Sequence, residues 1–286
     1  MVQEPVVATF SIVGRDGQTG ELGIAVQSKF LSVGSVVPWA AADAGAIATQ
    51  SWANTGFGPQ GLDLLRQGHS AQAVVDKLIA DDAGRNTRQI GIVDLHGGSA
   101  TYTGRDCLHW AGGTTGPNFA AQGNILVGEE TVLAMAETFQ NTAGDLAHRL
   151  VEALDAGQTA GGDSRGRQSS ALYVVKAKGG YGGLSDRYID LRVDDHNEPI
   201  QELKRLLALW RLYFEKPVEH HLLELTGPLL AEVSGYLAQS GYLGPGVEFP
   251  AAWRRFVGTE NFEERDVRTG FIDPAILDWL RARTRL

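Results

Sequence analysis

The stretch TFSIVGRDGQTGELGIAVQSKF, Thr9–Phe30, constrains the fold more than any other part of the chain. Phe10 and Ile12, then Leu22, Ile24 and Val26, alternate with small or polar residues, the period of two that marks β-strands. Between them GRDGQTGE holds three glycines and an aspartate, residue types suited to a tight reversal. The pattern predicts an antiparallel hairpin, in which the first residue of one strand lies beside the last residues of the other. Thr9 is therefore expected next to Ser28 and Lys29. A hydroxyl beside a desolvated lysine is one way of activating a weak nucleophile. A core hairpin with a strand-favouring threonine and a solvated lysine fits the same pattern.

Length and charge narrow the remaining classes. With 286 residues, roughly two domains are expected. The chain is 43% hydrophobic and 21% charged, ordinary for a water-soluble globular protein, and no apolar run approaches a membrane span. MVQEPVVA at the start has neither a basic segment nor a long apolar core, which predicts no signal peptide and a cytoplasmic protein. A net charge of −9 without a basic cluster argues against nucleic acid or an anionic membrane as partner. The single cysteine, Cys107, rules out an intrachain disulfide and is expected to be a partly buried structural thiol.

After the first hairpin comes a short apolar stretch broken by Pro38, then a strand over Ala46–Trp52 that runs into a glycine-bounded loop. Helices are predicted over Pro59–Gln67 and Ser70–Asp81, with Ser70 as N-cap and Val74, Val75, Leu78 and Ile79 at helical spacing. Arg88–Asp94 and Ser99–Thr103 form a predicted hairpin across HGG. AGGTTGPNFAAQGNILVG reads as a loop. Helices follow over Glu129–Gln140 and Gly144–Ala156, strands over Ser170–Val175 and Tyr188–Val193, and a helix over Pro199–Phe214. The order lacks strict βαβ alternation, so the chain is expected to be α+β with antiparallel sheets sandwiched between helical layers. Composition changes near residue 215, where EKPVEHHLLEL reads as a linker (215–227) into a small helical domain (228–286). Its predicted helices are Pro228–Gln239, Phe249–Val257 and Pro274–Arg283, the last opened by Asp273 and Pro274.

No metal-ligand spacing, phosphate-binding glycine loop or nucleophile-elbow motif is present, so neither a metal nor a cofactor is expected. What remains is a set of polar segments at strand ends: Ser28-Lys29, Thr49–Asn54 with Gln50, Gln122–Asn124, and GGDSRGRQSS. In the last, Asp163 is a candidate for orienting an amine or hydroxyl, and Arg165 and Arg167 for holding a substrate carboxylate. Asn54 and Asn124 are candidate oxyanion donors. Gln50, Ser28 and Ser169 join the substrate-binding candidates, and Trp39, Trp52 and Phe57 are candidate apolar walls. A hydrolase built on Ser28, Ser169 or Cys107 would need a base placed on that side chain.

TFSIVGRD, GELGIAVQSKFLSVGSVVPWA, ATQSWANTGFGPQGL, AAQGNIL, GGDSRGRQSSALYVV and DRYIDLRVDDH together resemble one family, the bacterial and archaeal domain-of-unknown-function 1028 family, over about residues 9–214. That family is placed among the N-terminal-nucleophile (Ntn) hydrolase folds. The resemblance implies a four-layer αββα sandwich, with Thr9 as nucleophile and its own α-amine as general base. It further implies that Lys29 lowers the pKa of that site, that Asp163 orients or assists, and that the reaction is hydrolysis of a small amide, peptide or ureido C–N bond. Family members tend to begin Met-Thr, whereas eight residues precede Thr9 here. Cleavage at Ala8–Thr9, a start further along the chain, or a Thr9 acting without its amine would each reconcile the two.

The tail, from LLAEVSGYLAQSGYLGPG to AILDWLR, resembles three-helix peptidoglycan-binding domains sometimes attached to this family. Tyr236, Leu237, Tyr242, Trp253, Phe256, Leu277 and Trp279 are its expected core or groove residues. A muropeptide is the partner this resemblance implies. A non-catalytic binding protein for muropeptides or for another protein, on the same scaffold, is the alternative to a hydrolase. A symmetric homo-oligomer is expected from size alone.

Overall fold

The computed structural model describes residues 9–283; the leader, including Ala8 of the Ala8–Thr9 junction, lies outside them. The first hairpin forms as β1 (Thr9–Arg15) and β2 (Leu22–Ser28), in register from Thr9↔Ser28 to Arg15↔Leu22. Asp16 closes its turn by accepting the backbone N–H groups of Gln18 and Thr19 at 2.7 and 2.9 Å, and Gly20 supplies the positive φ.

The chain continues through β3 (Pro38–Ala41), β4 (Gly45–Ser51), α1 (Phe57–Arg66), α2 (Ala71–Ala80), β5 (Arg88–Asp94) and β6 (Ser99–Thr103). It then forms β7 (Gly112–Gly116), β8 (Phe119–Asn124), α3 (Glu130–Asn141), α4 (Leu146–Thr159), β9 (Ser169–Val175), β10 (Arg187–Val193) and α5 (Pro199–Phe214). Ser70 caps α2 through Ala73 N–H, and Asp145 caps α4 through His148 N–H.

The strands make two antiparallel sheets, one of six strands in the order β10-β9-β2-β1-β8-β7 and one of four in the order β3-β4-β5-β6. They face each other through Val13, Leu22, Ile24 and Val26 on one side and Ala46, Ala48 and Val93 on the other. α1 and α2 cover the outer face of the smaller sheet, packing Phe57, Leu62, Leu65, Val74 and Leu78 on Ile47, Ile90 and Ile92. α3 and α4 cover the larger sheet so closely that a Cβ on Gly14 would sit 2.8 Å from Phe139, and one on Gly23 would sit 2.9 Å from Leu150. Each large apolar side chain buried in these layers contributes on the order of 2 kcal/mol. The α+β class is thus as expected.

One segment departs from the sequence expectation in a way that matters for function. AGGTTGPNFAAQGNILVG, expected to be a loop, contains the hairpin β7–β8, and β8 is the second neighbour of β1. β3, expected as a mere apolar stretch, is also a strand.

The chain divides into two compact units between Lys204 and Arg205, within α5. The second contains a two-residue ribbon of β11 (Leu223–Glu224) and β12 (Phe271–Ile272) with α6 (Gly227–Gln239), α7 (Phe249–Glu260) and α8 (Pro274–Arg283). Leu237, Trp253, Phe256 and Leu277 are buried in its core, and Tyr236, Tyr242 and Trp279 pack against them partly buried. A buried ion pair of Arg265 with Asp273 lies beside that core, and Arg265 also donates to the carbonyls of Arg211 and Leu212. Among the described residues no helix is long and apolar enough to cross a membrane.

Candidate functional site

The residues that alternate inward on β1 are Thr9, Ser11 and Val13, and they face the second sheet. Along this gap the filling changes character. Valine, isoleucine and alanine fill one end, whereas the end holding Thr9 is lined by Ser11 and Ser28, Gln50 of β4, Gln89 of β5, and Gln122 and Asn124 of β8, all buried. Burying amides is costly unless they are hydrogen-bonded, so this end of the gap is organised by its bonds.

Those bonds form one connected chain. Ser11 Oγ donates to Gln50 Oε1 at 2.6 Å, and Gln50 Nε2 donates to Gln89 Oε1 at 2.9 Å and to the carbonyl of Thr9 at 3.2 Å. Gln89 Nε2 donates to the carbonyls of Gly123 at 2.7 Å and Gly112 at 3.2 Å. Gln122 Nε2 donates to Ser11 Oγ at 2.7 Å, and Asn124 Nδ2 donates to Gln89 Oε1 at 3.0 Å. Gly91 makes room for this seam: a Cβ there would lie 2.0 Å from Gln122 Oε1.

Thr9 opens β1 between two strand partners, paired with Ser28 on one side and Asn124 on the other. Just past Ser28 the backbone N–H of Lys29 donates to Asp163 Oδ2 at 2.9 Å. Asp163 is held there because its segment bridges to Leu126 and because Val127 N–H donates to the carbonyl of Gly162. Its side chain is fully buried and also receives the Arg165 backbone N–H and guanidinium. Asp163 thereby fixes the turn that follows Ser28.

Other candidates take different positions. Lys29 is exposed, with Nζ donating to the Arg167 carbonyl at 3.4 Å, so its ammonium is solvated rather than desolvated beside Thr9. Arg165 is paired with Asp163 and Arg167 with Glu198, both partly exposed. Arg167 lines a cavity of about 290 Å³ with Asp155, Gln158, Thr159, Glu198 and Gln201, a set that does not include Thr9. Ser169 spends its hydroxyl on the carbonyl of Phe30 and the N–H of Val33, and Asn54 Oδ1 accepts from Gly56 N–H at 3.1 Å. Trp39 and Phe57 pack in the hydrophobic cluster between α1 and the smaller sheet, Phe57 buried and Trp39 partly so. Burial pushes the Cys107 thiol above its ordinary range, unfavourable for a nucleophile at neutral pH.

Gln89 and Ser11 escaped the sequence reading. Their signal was parity: both occupy inward positions of buried strands, Gln89 in step with Gly91 and Val93, Ser11 in step with Val13. Among the described residues no group of three or more His, Cys, Asp or Glu is placed to hold a metal ion.

Residues 213–280 match a domain described as "Putative peptidoglycan binding domain". No curated protein matches the chain. The crystal structure of protein SPO2555 from Silicibacter pomeroyi, a DUF1028 protein, is similar with a TM-score of 0.66 and 30% identity, covering 78% of this chain and 88% of that one. Residues 9–203, which carry both sheets, the four helices against them and the whole Thr9 site, match the DUF1028 family, described as a family of unknown function; the chain belongs to that family.

Proposed function

We propose that the chain is a hydrolase of a small amide, peptide or ureido C–N bond, with Thr9 as an N-terminal nucleophile on an Ntn-type αββα sandwich. The observation that carries this reading is the place of Thr9: first residue of a strand central to the larger sheet, buried between Ser28 and Asn124 at the polar end of the gap. Once residues 1–8 are removed, the Thr9 amine becomes a base whose ordinary pKa of about 7.7–8.0 suits neutral pH. Oγ1 attacks the substrate carbonyl carbon while the amine takes the hydroxyl proton. The C–N bond then breaks, the leaving nitrogen takes that proton, and the acyl group stays on Thr9 as an ester. Water attacks the ester with the amine again accepting a proton, releasing the acid and restoring Thr9. Asp163 positions the Lys29 backbone, and Lys29 contributes positive charge from the exposed side, where solvent screens it.

The test is turnover of a panel of small amides, ureido compounds and short peptides by the wild-type chain and Thr9→Ala. The expected result is hydrolysis of at least one by the wild type that falls to background in the variant. Full turnover by Thr9→Ala overturns the assignment. A second reading, binding of muropeptides without turnover, draws support from the match over residues 213–280. Saturable stabilisation of the chain by muropeptides, with no product formed, would favour it.

A further inference from the structure

We infer that Asn124 is the acceptor that holds the α-amine of Thr9, through Oδ1; this rests on the reading of Thr9 as an N-terminal nucleophile. Gln89, bonded to Asn124, has an amide whose orientation is set by main chain. Its Nε2 faces the carbonyl oxygens of Gly112 and Gly123, which only accept, so the amide cannot be turned over without setting oxygen against oxygen. Gln89 Oε1 is thereby fixed toward the site, where it accepts from both Gln50 Nε2 and Asn124 Nδ2.

That fixes Asn124 in turn. Turned over, its own oxygen would face Gln89 Oε1, again two acceptors. Asn124 Oδ1 is therefore the end of a chain of amides whose polarity is set by backbone, and it is buried with no hydrogen-bond partner among the described residues. A buried acceptor without a donor is unusual enough to need an explanation. Asn124 is paired directly with Thr9 across β1 and β8, with both side chains on the face toward the second sheet. The liberated amine of Thr9, with three protons when charged, is the donor this place supplies.

The consequence is a positioning role with a measurable sign. An acceptor on the amine favours its charged form and raises its pKa, and it orients the lone pair that appears on deprotonation toward Oγ1. Loss of a backbone-anchored acceptor lowers the amine pKa. A purely structural role, or one confined to donating to the substrate oxygen, leaves it where it was.

The experiment uses the chain prepared to begin at Thr9 by specific cleavage of a designed leader, with carbon-13-labelled threonine. The titrating N-terminal signal is assigned by its loss in Thr9→Ser, and its midpoint is followed by NMR in the wild type, Asn124→Ala and Asn124→Leu. Leu fills the space that Ala would leave empty, and thermal melting shows which variants remain folded. The expected result is a midpoint lowered by about half a unit to one unit in the folded variants, or roughly 3- to 10-fold more neutral amine well below it. An unmoved or raised midpoint in a folded variant overturns the inference. The readout needs no substrate, so it separates from the parent reading: full activity of Thr9→Ala sinks the hydrolase, whereas an inactive Thr9→Ala with an unmoved midpoint sinks only the role of Asn124.

Discussion

Gln50, carried by the four-stranded sheet, donates its side-chain amide to the main-chain carbonyl of Thr9 in the six-stranded sheet at 3.2 Å. The contact ties the two sheets together at the residue proposed to do the chemistry. It also explains why glutamine stands at an inward position that alanine occupies twice earlier on the same strand, at Ala46 and Ala48.

Gln50→Leu should destabilise the chain by about 2 kcal/mol, because it removes the acceptor of the buried Ser11 hydroxyl, a donor to the Thr9 carbonyl and one of the two donors to Gln89 Oε1. For a unit of this size that corresponds to a fall in Tm of about 4–8 °C. Scanning calorimetry checks it; an unchanged Tm would mean that the seam contributes nothing net.

Asp163→Ala should act locally. It removes the partner of the Lys29 N–H and of the Arg165 guanidinium, and because Arg165 is partly exposed the cost should be only about 1–2 kcal/mol. Hydrogen exchange at the Lys29 amide should quicken by on the order of tenfold while the strand amides of β1 stay protected. Uniform quickening across β1 would show that Asp163 supports the whole sheet.

Cys107 offers a pH test with a definite sign. Its folded pKa is raised by burial, so at pH 7.5 alkylation by iodoacetamide should be slower than for an unfolded chain and should accelerate as pH rises. The unfolded thiol ionises first, so stability contributed by this group is present below the unfolded pKa and falls as pH rises through it. Rapid alkylation at pH 7 in the folded protein would contradict the raised value.

In the second unit, Arg265→Met should cost about 3 kcal/mol by leaving the buried Asp273 carboxylate without its guanidinium. Combining it with Asp273→Leu should recover part of that loss, since both charges are then gone. Urea unfolding followed by tryptophan fluorescence measures both variants, and additive losses would argue against a coupled pair.

The first hairpin was legible because its large side chains alternate with small ones. The hairpin of β7 and β8 was illegible for the opposite reason. GGTTG and FAAQGN hold few large residues because neighbours approach too closely: a Cβ on Gly112 would meet Trp110 at 2.5 Å, and one on Gly123 would meet Leu126 at 2.4 Å. Close packing erased the period that packing usually writes. In sequence Asn124 therefore reads as a loop amide, whereas in the fold it is a strand residue opposite Thr9. Lys29 shows the converse limit, since sequence position brought it next to Ser28 while only the three-dimensional course of the turn sends its ammonium outward.

The most direct test of Thr9 as nucleophile is intact mass with N-terminal sequencing of the protein isolated from its native cells. The expected result is a chain that begins at Thr9 with a free amine. A functional chain that keeps residues before Thr9 would contradict it, because the nitrogen meant to act as base would then be locked in a peptide bond.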